Sequence, residues 1–178
     1  HYAAAGFHLV LVGRDIEQLN VVRDATVAAG ATCQICIADL SQSDGVASVL
    51  EMCPQPDVVV ANAGVTVAGR AGTREWTQLE QMSYLLGVGV AQLLEGLVPA
   101  MTRRGSGDIL IVSSIASLIT MPNSAMYAAS KSFVTAYGRS LAAETDRFGI
   151  RVCVLCPGYV HTNLHERAGL AHLEKQVP

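Results

Sequence analysis

The chain has 178 residues, of which 51% are hydrophobic and 15% are charged, and its formal net charge is −3 at pH 7. This length predicts a single domain over residues 1–178 with a sizeable buried core. The sequence has no basic block, which argues against nucleic acid and anionic membranes as partners. Its longest apolar runs are shorter than a membrane span requires, so we expect no membrane-spanning segment.

Five short, nearly continuous apolar segments predict β-strands, at residues 7–12, 31–38, 57–61, 108–112 and 150–155. The segments between them carry helical patterns, at residues 16–29, 41–52, 76–101 and 124–147. This alternation predicts an α/β fold, a doubly wound, Rossmann-type parallel sheet in a three-layer α/β/α arrangement. Gly87 and Gly89 lie inside the long third helix, where they predict a local bulge.

Two Cys-x-x-Cys pairs, Cys33/Cys36 and Cys153/Cys156, raise the question of a metal or redox site. Both pairs lie in strand-like segments, where residues three apart point to opposite faces of the sheet. We therefore expect small buried side chains and no metal site. Free cysteines in a core predict a reducing compartment, the cytoplasm.

Three polar residues follow the fourth predicted strand in a notable pattern. Ser114 comes directly after it, 13 residues before Tyr127, and Lys131 follows Tyr127 by four residues. Tyr127 and Lys131 therefore share one helix face. Because ligands of open parallel sheets bind at the carboxyl ends of strands, a hydroxyl, a phenol and an ammonium are expected to converge there. An ordinary helix surface is the alternative reading of the Tyr/Lys spacing.

This segment resembles the active-site segment of the classical short-chain dehydrogenase/reductase family, which carries Tyr-x-x-x-Lys with a serine 13 residues upstream. Here the motif is Tyr-Ala-Ala-Ser-Lys. The resemblance implies that Tyr127 exchanges a proton with the substrate oxygen, that Ser114 hydrogen-bonds the same oxygen, and that Lys131 also binds the nicotinamide ribose. The ammonium of Lys131 is expected to lower the pKa of Tyr127 from its free value near ~10.

Residues at the ends of the first two strands resemble the family's adenosine site. Arg14 can pair with a phosphate, as in members that prefer NADP(H) to NAD(H). A solvated turn arginine, with Asp15 facing a ribose hydroxyl, is the alternative. The resemblance places Asp39 and Leu40 at the adenine ring, although Asp39 taken alone would be a helix N-cap.

Two further turns resemble cofactor-binding turns of the family. Asn62-Ala63-Gly64 matches its Asn-Ala-Gly motif, in which small residues let the backbone approach the cofactor. The second turn runs from Pro157 and Gly158 through Tyr159, Val160 and His161 to Thr162. The resemblance implies that Val160 offers backbone groups to the nicotinamide carboxamide and that Thr162 bonds the carboxamide or a phosphate. Tyr159 and His161 would line the substrate side.

The resemblance covers essentially the whole chain, which corresponds to the middle of the family's domain. The family's Gly-rich phosphate loop and its C-terminal elements have no counterpart here. Leu86 occupies a position where many members carry an asparagine that helps to hold a relay water. Two hypotheses follow: an NAD(P)-dependent dehydrogenase or reductase acting on a small-molecule carbonyl or secondary alcohol, or a degenerate member that binds nucleotide or a partner with little turnover.

Apolar residues on the two long helices suggest self-association. In the family, the corresponding helices pair between subunits, so the resemblance implies a homodimer or homotetramer. The alternative is that these residues face only the sheet. The residues concerned are Leu93, Leu94, Leu97, Phe133, Val134 and Leu141.

Overall fold

The structure, a computed structural model, describes residues 1–158. Its five strands are all parallel and form two sheets. The smaller sheet pairs β1 with β2, and the larger one has the order β3-β4-β5. The Rossmann-type α/β class is thereby confirmed, although the described sheet is partial. The strands are β1 (Leu9–Gly13), β2 (Cys33–Ile37), β3 (Val58–Ala61), β4 (Gly107–Val112) and β5 (Ile150–Leu155).

The helices lie close to their predicted bounds, because their apolar periodicity marks their extents well. They are α1 (Ile16–Ala28), α2 (Ser43–Met52), α3 (Trp76–Ser83), α4 (Gly89–Arg104) and α5 (Ala125–Thr145). Short 3₁₀ turns occur at Ala3–Ala5, Ile115–Ser117 and Asp146–Phe148.

The predicted bulge in the long helix is present as a π-helical turn, Tyr84–Val88, between α3 and α4. A Cβ added at Gly89 would lie 2.9 Å from the Tyr84 carbonyl oxygen, so the turn needs a glycine there. By length and composition alone, Trp76–Arg104 is long and apolar enough to cross a membrane. In this fold, its side chains Leu94 and Met101 are buried in the core.

The main core lies between the larger sheet and helices α4 and α5. It contains Leu94, Leu97, Met101, Ile109, Ile111, Val134, Leu141 and Ile150. Each such side chain contributes about 1.5–3 kcal/mol when fully buried. Leu93 packs against this cluster and also against the small core of the β1-β2 sheet, so it links the two.

The core packing shows which of the apolar residues proposed for a subunit interface are already buried within one chain. Four of the six residues expected at an interface, Leu94, Leu97, Val134 and Leu141, are buried in the core of a single chain. They face the sheet, as the alternative reading held. Phe133 differs, because 46% of its surface is exposed.

Helix α5 approaches the sheet closely at Gly138. A Cβ there would lie 2.6 Å from Val154 Cγ2 and 2.7 Å from Ile111 Cδ1. The absence of a side chain therefore lets α5 settle onto β4 and β5. This contact sets the distance between the sheet and the helix that carries Tyr127 and Lys131.

The cysteines are less buried than expected. All five are free thiols, and only Cys36 is fully buried, whereas Cys153 is exposed. Cys153 lies on β5, the last strand of the described larger sheet, and its side of that strand is uncovered within residues 1–158. Over the same residues, no group of three potential metal-ligating side chains comes together.

Candidate active site

The register of the larger sheet brings three strand ends to one edge. Ala61 of β3 pairs with Ile111, and Val112 of β4 pairs with Leu155. Two backbone hydrogen bonds continue this pairing beyond the strands, from Ser113 N to Leu155 O at 2.8 Å and from Ile115 N to Pro157 O at 2.8 Å. Ser114 therefore lies at the same edge as the Asn62 and Pro157 turns.

The hydroxyls of Ser114 and Tyr127 meet at this edge. Ser114 precedes the Ile115–Ser117 turn, and its Oγ accepts a hydrogen bond from Ala116 N at 3.1 Å. Tyr127 lies in the first turn of α5, half-buried, and its hydroxyl lies near enough to Ser114 for the serine hydroxyl to oppose the rise in its pKa. The strand end and the helix start thus bring together two of the three groups expected to converge.

Lys131, the third group, is buried beside them. Its side chain is 6% exposed, its Nζ donates to the Val112 carbonyl at 2.8 Å, and it lies 6.0 Å from the centre of the Tyr127 ring. Burial lowers the pKa of Lys131 to about 8, against a smaller opposing effect of Cys156. The ammonium is therefore still largely charged at neutral pH but loses its charge at mildly alkaline pH.

The pKa of Tyr127 differs from the sequence-based expectation. Burial raises the pKa of this phenol above its usual value, and the hydrogen bond with Ser114 only partly offsets the rise. The expected lowering by Lys131 is not found, since the effect of burial is larger and the ammonium donates to a backbone carbonyl. The phenol therefore keeps its proton at neutral pH.

A second polar cluster forms at the ends of β1 and β2, where Gly13 pairs with Ile37. Arg14 Nη1 donates to Asp39 Oδ2 at 3.4 Å, and Asp39 Oδ1 accepts from Ser41 N at 2.9 Å and from Ser41 Oγ at 2.7 Å. The bonds from Ser41, more than the Arg14 charge, lower the pKa of Asp39. Its carboxylate is thus ionised and held in place.

Asp39 is not the N-cap of α2, contrary to one sequence reading. Gln42 occupies the cap position and makes no side-chain cap bond. The Asp39 carboxylate accepts from Ser41 instead. Leu40 is anchored by packing against the cluster of Cys36, Ala38 and Val49.

The Asn62-Ala63-Gly64 turn is exposed directly after β3. A Cβ at Gly64 would meet its nearest neighbour, Asn62 O, at 3.7 Å, so the packing of the chain itself does not require a glycine there. The turn is exposed, so its backbone is accessible at the end of the strand.

Leu86 lies on the other side of this turn. It is 1% exposed and packs with Leu79 and Met82, with Met126 and Tyr127 against the same cluster. The tyrosine therefore packs against an apolar cluster, and one member of that cluster, Leu86, stands where many members of the resembled family have an amide.

One feature of the site could not be anticipated from motifs. The hydroxyls of Ser113 and Thr135 form a buried pair behind Lys131, and only the register of β4 against α5 brings them together.

Four residues of the second predicted cofactor turn lie outside the described residues. They are Tyr159, Val160, His161 and Thr162.

The parallel α/β fold and the polar groups at its strand ends are those of a Rossmann-type protein. The family described as short chain dehydrogenase matches residues 1–171. The "Dehydrogenase/reductase SDR family member 7B" of Danio rerio is 36% identical over 176 residues, 92% of this chain and 56% of the relative. The 2-(R)-hydroxypropyl-CoM dehydrogenase of Xanthobacter autotrophicus is 33% identical over 136 residues, 74% of this chain and 54% of that protein.

Solved structures give the same result. A short-chain dehydrogenase from Sphingobium yanoikuyae in complex with NADPH superposes with a TM-score of 0.93 at 24% identity, over 99% of this chain and 70% of that one. A metagenomic short-chain oxidoreductase in complex with NADP gives 0.83 at 29% identity, over 99% and 83%. The chain belongs to the short-chain dehydrogenase family. It spans about half the length of the curated relatives named above.

Proposed function

We propose that the full-length protein is an oxidoreductase that transfers a hydride between NADP(H) and a carbonyl or secondary alcohol of a small molecule. The observation that carries this proposal is the meeting of the Ser114 and Tyr127 hydroxyls beside the buried ammonium of Lys131. Membership of the short-chain dehydrogenase family supports the reaction class.

The residues of the site suit reduction of a carbonyl. The nicotinamide, when bound, supplies the hydride. Tyr127 retains its proton at neutral pH because burial raises its pKa, so it can donate that proton to the carbonyl oxygen. Ser114 would hold the same oxygen by a hydrogen bond. The ammonium of Lys131 favours the phenolate that remains after proton transfer.

The residues present also fit the cofactor. The exposed Asn62-Ala63-Gly64 turn, together with Pro157 and Gly158, presents backbone groups to a ligand at the nicotinamide end. At the other end, the side chain of Arg14 is 68% exposed and its bond to Asp39 is long, so the guanidinium is available to a 2′-phosphate. This availability supports NADP(H) over NAD(H).

A second candidate function is nucleotide or partner binding with little turnover. The observation that favours it is Leu86, which belongs to the apolar cluster packed against Tyr127 and stands where the resembled family often has an asparagine. A polar group that could hold a relay water is therefore replaced by an apolar contact.

A single experiment separates the two candidates. The full-length protein is mixed with NADPH or NADH and a panel of aldehydes and ketones, and cofactor binding and oxidation are followed by fluorescence and absorbance. Oxidation of NADPH supports the enzyme, and binding without oxidation supports the second candidate. Absence of both rejects the two proposals together.

We also propose a homodimer or homotetramer in the cytoplasm. Exposed apolar side chains on the long helices, Phe133 and Val88 among them, support a contact between copies. The free cysteines support a reducing compartment. Sizing chromatography tests the association, and a monomeric elution volume at micromolar concentration would reject it.

A further inference from the structure

Lys131 is attached to the end of β4 at two points. Its Nζ donates to the carbonyl of Val112 at 2.8 Å, and its own main-chain carbonyl accepts from Ser113 Oγ at 3.1 Å. Val112 and Ser113 are neighbours at the end of the strand, directly before Ser114. The strand that presents the serine hydroxyl therefore also holds the lysine.

Thr135 completes this attachment. Its Oγ1 lies 2.6 Å from Ser113 Oγ, and Ser113 and Thr135 are only 3% and 7% exposed. The hydroxyl of Ser113 has one proton, which it donates to the Lys131 carbonyl, so its contact with Thr135 makes Thr135 the donor. A directed chain of hydrogen bonds thus runs from Thr135 through Ser113 to Lys131.

We propose that Ser113 and Thr135 are positioning residues that set the placement of Lys131 and, one helical turn earlier, of Tyr127 relative to Ser114. The proposal rests on the proposed function for its effect on turnover. Its physical basis is that a buried hydroxyl without a partner is costly, so a fully paired chain specifies one arrangement of helix on strand.

Thr145, also a buried threonine of α5, makes its hydrogen bond within the helix and not to β4. Thr145 is 4% exposed, and its Oγ1 donates to Leu141 O at 2.7 Å within the same helix. That bond does not cross to another element. Thr145 is therefore a matched control: a buried threonine on α5 whose loss removes a hydroxyl without loosening α5 from β4.

The test compares Thr135→Val, Thr135→Ser and Thr145→Val in the full-length protein. We expect Thr135→Val to lower kcat about tenfold, the effect of one lost hydrogen bond, with KM for NADPH within about twofold. The pH at which kcat is half-maximal should move by about half a unit. Thr135→Ser should restore both, and Thr145→Val should lower thermal stability similarly while leaving kcat and the pH profile unchanged.

Titration of Lys131, followed by NMR of its ¹³Cε signal, gives a readout that needs no turnover. The titratable groups beside Lys131 within residues 1–158 are Tyr127 and Cys156, and none of the variants alters them. A loosened lysine gains solvent, so its pKa should rise in Thr135→Val and not in Thr145→Val.

Ser113→Ala provides a second variant if Thr135→Val does not fold. It should show the same rise in the pKa of Lys131. Equal titration and equal kcat in the Thr135 and Thr145 variants would overturn the proposal. A wild-type protein without turnover rejects the proposed function, and the lysine titration then still decides the positioning role.

Discussion

Lys131 is a buried lysine whose charge depends on the fold. A lysine that is 6% exposed and bonded to one carbonyl loses most of its hydration, and burial lowers its pKa to about 8. Between this pKa and the ordinary value of 10.5, the unfolded chain holds a proton that the folded chain lacks. The free energy of unfolding therefore rises with pH through this window.

Lys131→Met should remove this pH dependence. We expect the difference in unfolding free energy between wild type and variant to change by about 3 kcal/mol between pH 7.5 and 10.5, in favour of the wild type at high pH. Urea denaturation of the cofactor-free protein at several pH values measures it. Parallel curves for the two proteins would show that burial does not shift the lysine.

At the other end of the site, Arg14 is the residue that we propose selects NADP(H) over NAD(H). Its loss should weaken NADPH binding by about ten- to a hundredfold, because a charge-assisted bond to phosphate is lost, and leave NADH binding within about twofold. Fluorescence titration of Arg14→Ala with both cofactors measures the ratio. Arg23→Ala, an exposed arginine paired with Asp24, is the control. Equal weakening of both cofactors would contradict the role.

At the scale of elements, the contact of α5 with β4 and β5 positions the residues of the site. The helix holds Tyr127 and Lys131, and β4 leads into Ser114. Gly138 sets the distance between helix and sheet, because its lack of a side chain lets Val154 and Ile111 come close to the helix. The long helix contributes Leu86 through its π-helical turn, so an irregular stretch also borders the tyrosine.

Gly138→Ala should push α5 away from the sheet. Overpacking costs about 1–3 kcal/mol, and the better helix propensity of alanine returns about 1 kcal/mol, so we expect a net loss of about 1 kcal/mol together with a lower kcat. Thermal unfolding and steady-state rates measure both. Ser140→Ala on the exposed face of α5 is the control. An unchanged kcat would show that the contact does not set the site.

The sequence predicted element positions well and their mutual packing less well. Apolar periodicity marks α5 and β4 within a few residues, and the spacing of Ser114, Tyr127 and Lys131 placed three groups at one strand end. Burial, by contrast, depends on contacts between distant elements. For that reason the raised pKa of Tyr127 and the Ser113–Thr135 pair could be found only in the structure.

At the scale of the whole molecule, the described residues arrange two parallel sheets so that the Arg14 and Asp39 cluster and the Ser114, Tyr127 and Lys131 cluster both lie at carboxyl ends of strands. A dinucleotide with its adenosine at one cluster and its nicotinamide at the other fits this layout. The central claim is that Tyr127 then exchanges the proton of the reaction.

The most direct test is the rate of NADPH oxidation by Tyr127→Phe in the full-length protein, with a carbonyl substrate of the wild type. We expect kcat to fall at least about a hundredfold, as for loss of a general acid, with NADPH binding within about twofold. Tyr137→Phe is the control on the same helix as Tyr127: it removes a hydroxyl that donates to Glu95 of α4, and it should retain activity. A Tyr127→Phe protein that keeps the wild-type kcat would contradict the account.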